Sequence, residues 1–393
     1  MADSLHLLLG VSGGIAAYKV PQLIRLLSKA DVITRVVLTR AAQPLVGLEA
    51  IRTVSGQPVF TDDAQPRYDM DHIRLSQWAD AFLVCPATAN TIAKLAAGIG
   101  DNLLTTLALS CEGPLLVAPA MNTSMWNKPV TRQNLSRLSA NGGRILPVGS
   151  GELACGTSGS GRLLALEDIV GYVLGAFQPQ VLQGKKVLIS SGPTLEAIDP
   201  VRVLTNRSSG KMGCSLARAA LNMGAEVTVI SGPTNTRLPE PARCIYVEST
   251  EQMRCALNEE FDSSDICIMA AAVSDYRSEK RADRKLSREE NRQLSLNLVA
   301  NPDIAAELGN RKGNRVLIGF ALETEGGLER AYEKMIRKNC DMIVYNRVGE
   351  SLGTETTCAT MILPDNRKET IETTDKLHAS YRILRQTAHL IAR

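Results

Sequence analysis

Nine cysteines are scattered through 393 residues with no C-x-x-C pair and an odd total. That distribution argues against a disulfide framework and against a zinc site. Charge of one sign is also scarce: the net charge is only +3, too little to argue for nucleic acid or a membrane surface as partner. No apolar run approaches a membrane span. The opening Met1-Ala-Asp-Ser-Leu-His carries an acid and no basic stretch, unlike a secretory signal. A reduced, cytoplasmic protein is the expectation. Neither half contains G-x-G-x-x-G, and the second strand of each half ends in Thr39 or Ser231 instead of an acid for a ribose 2′-hydroxyl, which argues against NAD.

What is present is ordinary globular protein, 44% hydrophobic and 22% charged, enough to bury a core in each half. Apolar runs at 5–11, 32–39, 81–85, 115–118 and 143–147 alternate with helical stretches, as do runs at 187–190, 226–230, 243–247, 266–270, 315–319 and 342–345. This alternation predicts an α/β chain of two tandem doubly wound, Rossmann-like parallel-sheet domains, the first flavodoxin-like. The boundaries expected are 1–178 and 183–393, with Gln178-Pro-Gln as linker. Residues 151–162, rich in Gly and Ser without periodicity, read as a mobile flap. Gln293-Leu-Ser-Leu-Asn-Leu alternates polar and apolar and reads as an added edge strand. Ser-Gly-Pro-Thr follows the first strand of the second half at 191–194 and the second strand at 231–234; strand ends face the ligand in such folds, so both turns are expected at the site.

The strand at 187–190 leads into Ser208-Ser-Gly-Lys211, which opens a helix with Met212, Leu216, Ala219, Ala220 and Met223 on its apolar face. Free amides at a helix start, with Ser, Gly and Lys211 nearby, suit a phosphate-bearing ligand. It is not a P-loop, because Met follows the Lys and position 205 is Thr. Gly10-Val-Ser-Gly-Gly14 matches G-x-S-x-G, but Ser12 follows the first strand, where a hydrolase nucleophile does not sit. Hydroxyls and glycine amides there suit the phosphate of a mononucleotide such as FMN.

Three further places in the first half carry chemistry. Pro119-Ala-Met-Asn-Thr-Ser-Met-Trp126 is either a loop whose Met and Trp plug the core or a fixed amide, Asn122, aimed at a carboxylate. His72, at a helix start, reads on residue type alone as a solvated cap. Cys155 sits on a glycine loop without apolar anchors, a poor place to bury a thiol, so an exposed functional thiol is preferred. With Pro86-Ala-Thr-Ala-Asn-Thr and Ala154-Cys-Gly, these motifs resemble the flavin-dependent cysteine decarboxylases, which bind FMN. The resemblance makes His72 the base, Asn122 the carboxylate grip and Cys155 the proton donor. It places FMN against Ser12, Gly13, Thr39, Thr88, Asn90 and Met121.

The second half resembles phosphopantothenate–cysteine ligase through Thr205-Asn-Arg-Ser-Ser-Gly-Lys-Met-Gly213, Ala270-Ala-Ala-Val-Ser-Asp-Tyr276, Asn301-Pro-Asp-Ile304, Gly319-Phe-Ala-Leu-Glu-Thr324 and Lys334-Met-Ile-Arg-Lys-Asn339. The domain order is that of the bifunctional decarboxylase/ligase family of coenzyme A synthesis. The resemblance implies CTP held by Met269, Ala270, Ala271, Asp275, Pro302, Asp303, Ile304, Ala305 and Phe320. Lys285, Lys334 and Lys338 would offset phosphate charge, and Asn206 would orient the acyl intermediate. Residues 277–292, with seven basic and four acidic side chains, read either as a solvated charge run or as a loop that brings Lys285 to the triphosphate. Two departures stand out: Leu286-Ser-Arg288 where further lysines often follow, and Asn346-Arg347 in place of Asn-Asp.

The reaction implied joins 4′-phosphopantothenate to cysteine with CTP and Mg²⁺ through an acyl-cytidylate. FMN-dependent decarboxylation then gives 4′-phosphopantetheine. The metal ligands are not readable. The family also implies flavin-domain trimers and ligase-domain dimers, hence a homo-oligomer, a dodecamer. Two other readings stay open, a flavin-binding regulatory module and a working ligase beside an inactive flavin domain.

Overall fold

The computed structural model describes residues 5–62, 70–152, 158–287, 293–323, 327–347 and 353–391. The chain divides into two compact units, Met1–Phe177 and Gln178–Arg393.

In the first unit the chain runs β1 (Leu5–Val11), α1 (Val20–Lys29), β2 (Val32–Leu38), α2 (Leu48–Ser55), β3 (Val59–Thr61), α3 (Asp71–Trp78), β4 (Ala81–Ala87), α4 (Ala89–Ala97), α5 (Leu103–Ser110), β5 (Leu115–Pro119), α6 (Thr123–Trp126), α7 (Pro129–Ala140) and β6 (Arg144–Ile145). The hairpin strands β7 (Gly149–Glu152) and β8 (Ser158–Arg162) and helix α8 (Leu166–Ala176) complete it. Six parallel strands lie in the order β3-β2-β1-β4-β5-β6. Without the three-residue edge strand β3 this is the flavodoxin order; with it, the order is that of doubly wound dinucleotide folds. Continuous burial along β1 and β4 is what a strand covered by helices on both faces requires. Of residues 151–162, expected as a mobile flap, those described belong instead to an antiparallel ribbon, β7 against β8. Alternating Gly and Ser gave it no apolar period to betray the pairing.

The second unit comprises β9 (Lys186–Ser191), β10 (Leu195–Ala197), β11 (Val203–Thr205), α9 (Lys211–Asn222), β12 (Glu226–Ser231), β13 (Arg243–Tyr246), α10 (Thr250–Phe261), β14 (Ile266–Met269), β15 (Tyr276–Ser278), β16 (Leu298–Ala300), α11 (Ile304–Asn310), β17 (Val316–Glu323), α12 (Gly327–Arg337), β18 (Met342–Arg347), β19 (Thr356–Ile362), β20 (Lys368–Asp375) and α13 (Lys376–Ile391). Its sheet order is β13-β12-β9-β14-β17-β18-β19-β20. The six strands from β13 to β18 are parallel and repeat the 3-2-1-4-5-6 order of the first unit, while β19 and β20 extend it antiparallel. Helices α9 and α13 pack on one face around Leu216, Ala219, Ala379 and Leu384, and α10, α11 and α12 pack on the other around Met253, Leu257, Leu308 and Met335.

The alternation at 293–298 does not make an edge strand of this sheet. Pairing begins only at Leu298, and β16 joins β15 in a separate two-stranded ribbon. Leu294, Leu296 and Leu298 stay exposed, so the apolar alternation did not mark a buried face.

Candidate active sites

In each unit the strand order reverses between its first and fourth strands, where doubly wound sheets take their ligands. In the first unit that point lies between β1 and β4. Buried Ser12 ends β1, and its hydroxyl donates to the Pro86 carbonyl at 2.7 Å while accepting from the Thr88 amide at 2.9 Å. Thr88 in turn caps α4 by accepting from the Thr91 amide at 3.3 Å, and Asn90 is exposed in the first turn of that helix. Thr39 donates its hydroxyl to the Val11 carbonyl at 3.3 Å, which keeps it at the end of β2. A Cβ on Gly13 would lie 2.5 Å from the Ala41 Cβ, and one on Gly14 would lie 3.2 Å from the Thr88 methyl. Glycine at 13 therefore lets the loop close on the strand ends, and the Gly14 amide turns back to donate to the Ser12 carbonyl at 2.8 Å.

Asn122 caps α6, its Oδ1 accepting from the Met125 amide at 2.8 Å, and the residue is exposed. Trp126 is buried and Arg132 stacks over its ring at 4.1 Å, while Met121 packs against the same core. The core-plug reading is seen in Trp126 and, in part, in Met121, while Asn122 stands exposed on a capped turn. The β7–β8 ribbon lies against that turn. Met121 donates its amide to the Gly161 carbonyl at 2.9 Å, and a Cβ on Gly161, whose φ is +124°, would meet the Met121 oxygen at 2.4 Å. Cys155 belongs to the span joining β7 to β8 and lies outside the described residues, as does Arg288. His72 is the second residue of α3, following Met70 in the left-handed region. Cys85 is no alternative nucleophile, because burial pushes its thiol up to about 12.

The second unit holds a cavity of about 840 Å³ at the carboxyl ends of β14, β17 and β18. Its wall includes Asn206, Met269, Ala270, Ala271, Asp275, Pro302, Asp303, Ile304, Ala305, Phe320, Lys334 and Lys338, all expected for the nucleotide or the intermediate. Lys338 pairs with Asp303 at 3.0 Å, and Lys334 pairs with the buried Glu323. Asn206 donates its amide to the Ala272 and Val273 carbonyls, both at 3.1 Å, which fixes its plane against that turn. Cys340 also lines the cavity, but burial, the largest effect, pushes its thiol up to about 11; no thiolate is available there.

Thr250 and Glu196, which sequence reasoning passed over, help hold this wall in place. The Ser274 amide donates to Thr194 Oγ1 at 2.9 Å, Thr194 meets Thr250 at 3.1 Å, and Thr250 donates to the buried Glu196 carboxylate at 2.6 Å. Asn301 donates to the Ser274 carbonyl at 2.8 Å. A Glu in an alternating segment gives no sign that it will be buried as a brace. The two Ser-Gly-Pro-Thr turns, expected to face the ligand, act from behind. Thr234 donates to the Ser209 carbonyl at 2.6 Å, Ser191 donates to the Gly210 carbonyl at 3.2 Å, and beyond β12 and β9 neither turn lines the cavity among the described residues. They pack on each other, a Cβ on Gly232 falling 1.7 Å from the Pro193 oxygen.

Lys285 is likewise outside the cavity wall and exposed. Its loop is tied down on both sides. Ala282 donates its amide to the Ile198 carbonyl at 2.9 Å, and Leu286 donates to Asp199 Oδ2 at 3.1 Å. Arg202 bridges the same two points, reaching Asp199 Oδ2 and the Leu286 carbonyl, each at 3.0 Å. Burial would raise the Asp199 carboxyl, but amides of Val201, Arg202 and Leu286 and the Arg202 charge outweigh it and hold it below the usual carboxylate range.

Family models match the two units in turn, "Flavoprotein" over residues 1–178 and "DNA/pantothenate metabolism flavoprotein C-terminal domain" over 182–390. The Coenzyme A biosynthesis bifunctional protein CoaBC of Vibrio parahaemolyticus is 42% identical over 366 residues, covering 91% of this chain and 92% of that protein. Its counterpart in Bacillus subtilis is 39% identical over 399 residues, covering 99% and 98%. A cysteine/cysteine sulfinic acid decarboxylase from an unknown prokaryotic organism is 42% identical over 354 residues, covering 87% and 98%. On the family models and the near full-length identity, the chain belongs to the bifunctional protein family of coenzyme A biosynthesis.

Proposed function

We propose that the second unit joins 4′-phosphopantothenate to cysteine at the expense of CTP, and that the first unit decarboxylates the product to 4′-phosphopantetheine. The observation that carries the ligase reading is the single cavity that gathers Asn206, the 269–275 turn, Pro302–Ala305, Phe320, Lys334 and Lys338. The Ala270-Ala271 backbone, Asp275 and Phe320 hold the nucleotide, with Mg²⁺ carried on its phosphates. The substrate carboxylate attacks the α-phosphate, and pyrophosphate leaves as Lys285, Lys334 and Lys338 offset the developing charge. Asn206 then orients the acyl-cytidylate for attack by the cysteine amine, and CMP departs.

The first unit fits FMN: the Ser12-Gly13 loop, where Gly13 leaves no room for a Cβ, and the Thr88 hydroxyl at the start of α4 make a cradle for a phosphate. When bound, FMN supplies the two-electron oxidation of the cysteine moiety and the later return of those electrons. His72 takes the proton at oxidation. Asn122 grips the carboxylate that leaves as CO₂, the electrons being delocalised onto sulfur, and Cys155 gives the final proton. A homo-oligomer is part of the same reading, supported by exposed Ile15, Tyr18, Met70, Leu109 and Val130 in the first unit and Val201, Val203 and Tyr276 in the second.

One incubation tests the reading: phosphopantothenate, cysteine, CTP and Mg²⁺ with the FMN-loaded protein, watching pyrophosphate, CO₂ and phosphopantetheine. Free cysteine alone is the second arm. Release of CO₂ only from free cysteine would replace this reading with a cysteine decarboxylase.

A further inference from the structure

Glu196 on β10 is only 5% exposed, although a buried charge is costly unless hydrogen bonds compensate it. It stands outside the cavity wall and has no part in the chemistry proposed above. Its Oε1 accepts the Thr250 amide at 2.8 Å and the Thr250 hydroxyl at 2.6 Å. Thr250 is the first residue of α10, where amides have no partner within the helix. The carboxylate therefore also meets the positive end of that helix.

A carboxylate oxygen only accepts, and each hydroxyl has one proton to give. Together these set the direction of every bond that follows. Thr250 spends its proton on Glu196, so in its contact with Thr194 at 3.1 Å it must be the acceptor. Thr194 thereby spends its own proton on Thr250, and its oxygen is left to accept the Ser274 amide, as it does at 2.9 Å. Asn301 joins the same chain. Its Nδ2 donates to the Ser274 carbonyl at 2.8 Å and to Thr250 Oγ1 at 3.3 Å, while its Oδ1 accepts Arg277 Nη1 at 3.0 Å. Both backbone polar groups of Ser274 are thus held by one chain that ends on Glu196, and the Asn301 amide donates to the Asp275 carbonyl at 2.8 Å. The same turn is held from its other end by Asn206, through the Ala272 and Val273 carbonyls. Asn206 follows β11, which pairs with β10 across Glu196 and Leu204, and the Thr205 hydroxyl donates to the Thr194 carbonyl at 2.9 Å.

We infer that Glu196 is a positioning residue for the nucleotide: through Thr250 and Thr194 it fixes the 272–275 turn, and with it Asp275, relative to Asn206. The inference rests on the ligase reading and adds to it the buried residues that set where the nucleotide sits. None of the three touches a ligand. They act by leaving the turn one arrangement, because any shift of Ser274 leaves a buried amide or hydroxyl proton without an acceptor. The turn that meets the nucleotide and the residue that meets the acyl intermediate share the β10–β11 ribbon as their base. Their spacing is therefore set before either ligand arrives.

The test uses three variants of the full chain. Thr194→Val keeps the shape of the side chain and removes the acceptor of the Ser274 amide, Thr194→Ser restores that acceptor, and Glu196→Gln keeps an oxygen without the charge. Pyrophosphate release is titrated separately with CTP and with phosphopantothenate, alongside amide exchange at Ser274 and thermal stability. Thr194→Val is expected to raise KM for CTP about tenfold, the scale of one buried donor left unpaired. KM for phosphopantothenate should stay within about twofold, and protection at the Ser274 amide should be lost. Thr194→Ser should recover both readings. Glu196→Gln should fall between, at about threefold in KM for CTP, because a neutral acceptor is weaker than a charged one. A Thr194→Val protein with the wild-type KM for CTP would overturn the proposal. So would equal losses in every constant, with lowered thermal stability, in Thr194→Val and Thr194→Ser alike. If Thr194→Val does not fold, Glu196→Gln carries the comparison. A wild type that releases no pyrophosphate would sink the ligase reading itself, whereas an active wild type whose variants lose Ser274 protection but handle CTP normally would sink only the positioning role.

Discussion

The two units use one strand order and carry their candidate sites at the carboxyl ends of their strands, yet they finish the plan differently. The first adds an antiparallel ribbon, β7–β8, that lies against the Met121–Thr123 turn. The second adds two antiparallel strands and a helix, of which Thr357 on β19 and Lys376 at the start of α13 line the cavity. The shared core is therefore a platform, and the additions decide what it can hold. A ribbon suits an open cradle for a flat cofactor and the tail of a substrate; a wall suits two ligands that must meet out of water. Fold alone could not have distinguished these tasks.

The sharpest way to break the comparison is within the second unit, where two residues are assigned to successive steps. Lys285→Gln is expected to lower pyrophosphate release from phosphopantothenate plus CTP by about a hundredfold or more, the usual scale for removing a charge that stabilises a transition state. Asn206→Asp should still release pyrophosphate and accumulate the acyl-cytidylate, failing when cysteine is added. Rapid quench separates the outcomes. A failure of Asn206→Asp at the first step would exchange or cancel the two roles.

What the sequence disclosed follows the same division. The parallel strands were legible because short apolar runs such as 187–190 and 266–269 are bounded by turn residues or helical stretches. The residues expected at the nucleotide fall in compact motifs, and all but Lys285 line one cavity. The additions were not legible. Gly-Ser alternation at 149–162 hides a ribbon because neither face is apolar. Lys376 gave no signal, since a lysine at a helix start reads as solvated until β19 and α9 close over it. Lys285 was legible as a residue but not as a position, because its tether to Asp199 and Arg202 is made by backbone groups.

In the first unit the expected division is between oxidation and final protonation. His72→Asn should block CO₂ release altogether, whereas Cys155→Ser should release CO₂ and stall at an oxidised aminoenethiol, both followed by mass spectrometry. Arrest of both variants at one step would dissolve the distinction. A smaller effect tests the ribbon: Gly161→Ala puts a methyl on a residue at φ +124° and 2.4 Å from the Met121 oxygen, strain of about 1–3 kcal/mol. Decarboxylation should fall while pyrophosphate release is untouched, and equal losses in both activities would show that the ribbon does not serve the first site alone.

The smallest effect expected concerns the tether of the Lys285 loop. Asp199 Oδ1 accepts the Val201 and Arg202 amides, both at 2.7 Å, while Oδ2 accepts Arg202 Nη1 and the Leu286 amide. In Asp199→Asn the oxygen can keep the turn, but an NH₂ group then confronts two donors, so the turn survives and the tether is lost. The expected result is a fall in pyrophosphate release of about tenfold, the scale of one hydrogen bond to a charged group, with KM for CTP unchanged and exchange protection lost at the Leu286 amide. A variant that loses thermal stability and both partial reactions equally would reduce Asp199 to a structural brace. The pH dependence gives an independent check. Because the folded carboxyl is held below its unfolded value of about 3.9, its contribution is complete above that value and is lost only as pH falls through the lowered folded value. Protection at Leu286 should therefore stay level from neutral pH down to about 4 and decline only in stronger acid. A decline centred near neutral pH would mean that a histidine, not Asp199, governs the loop.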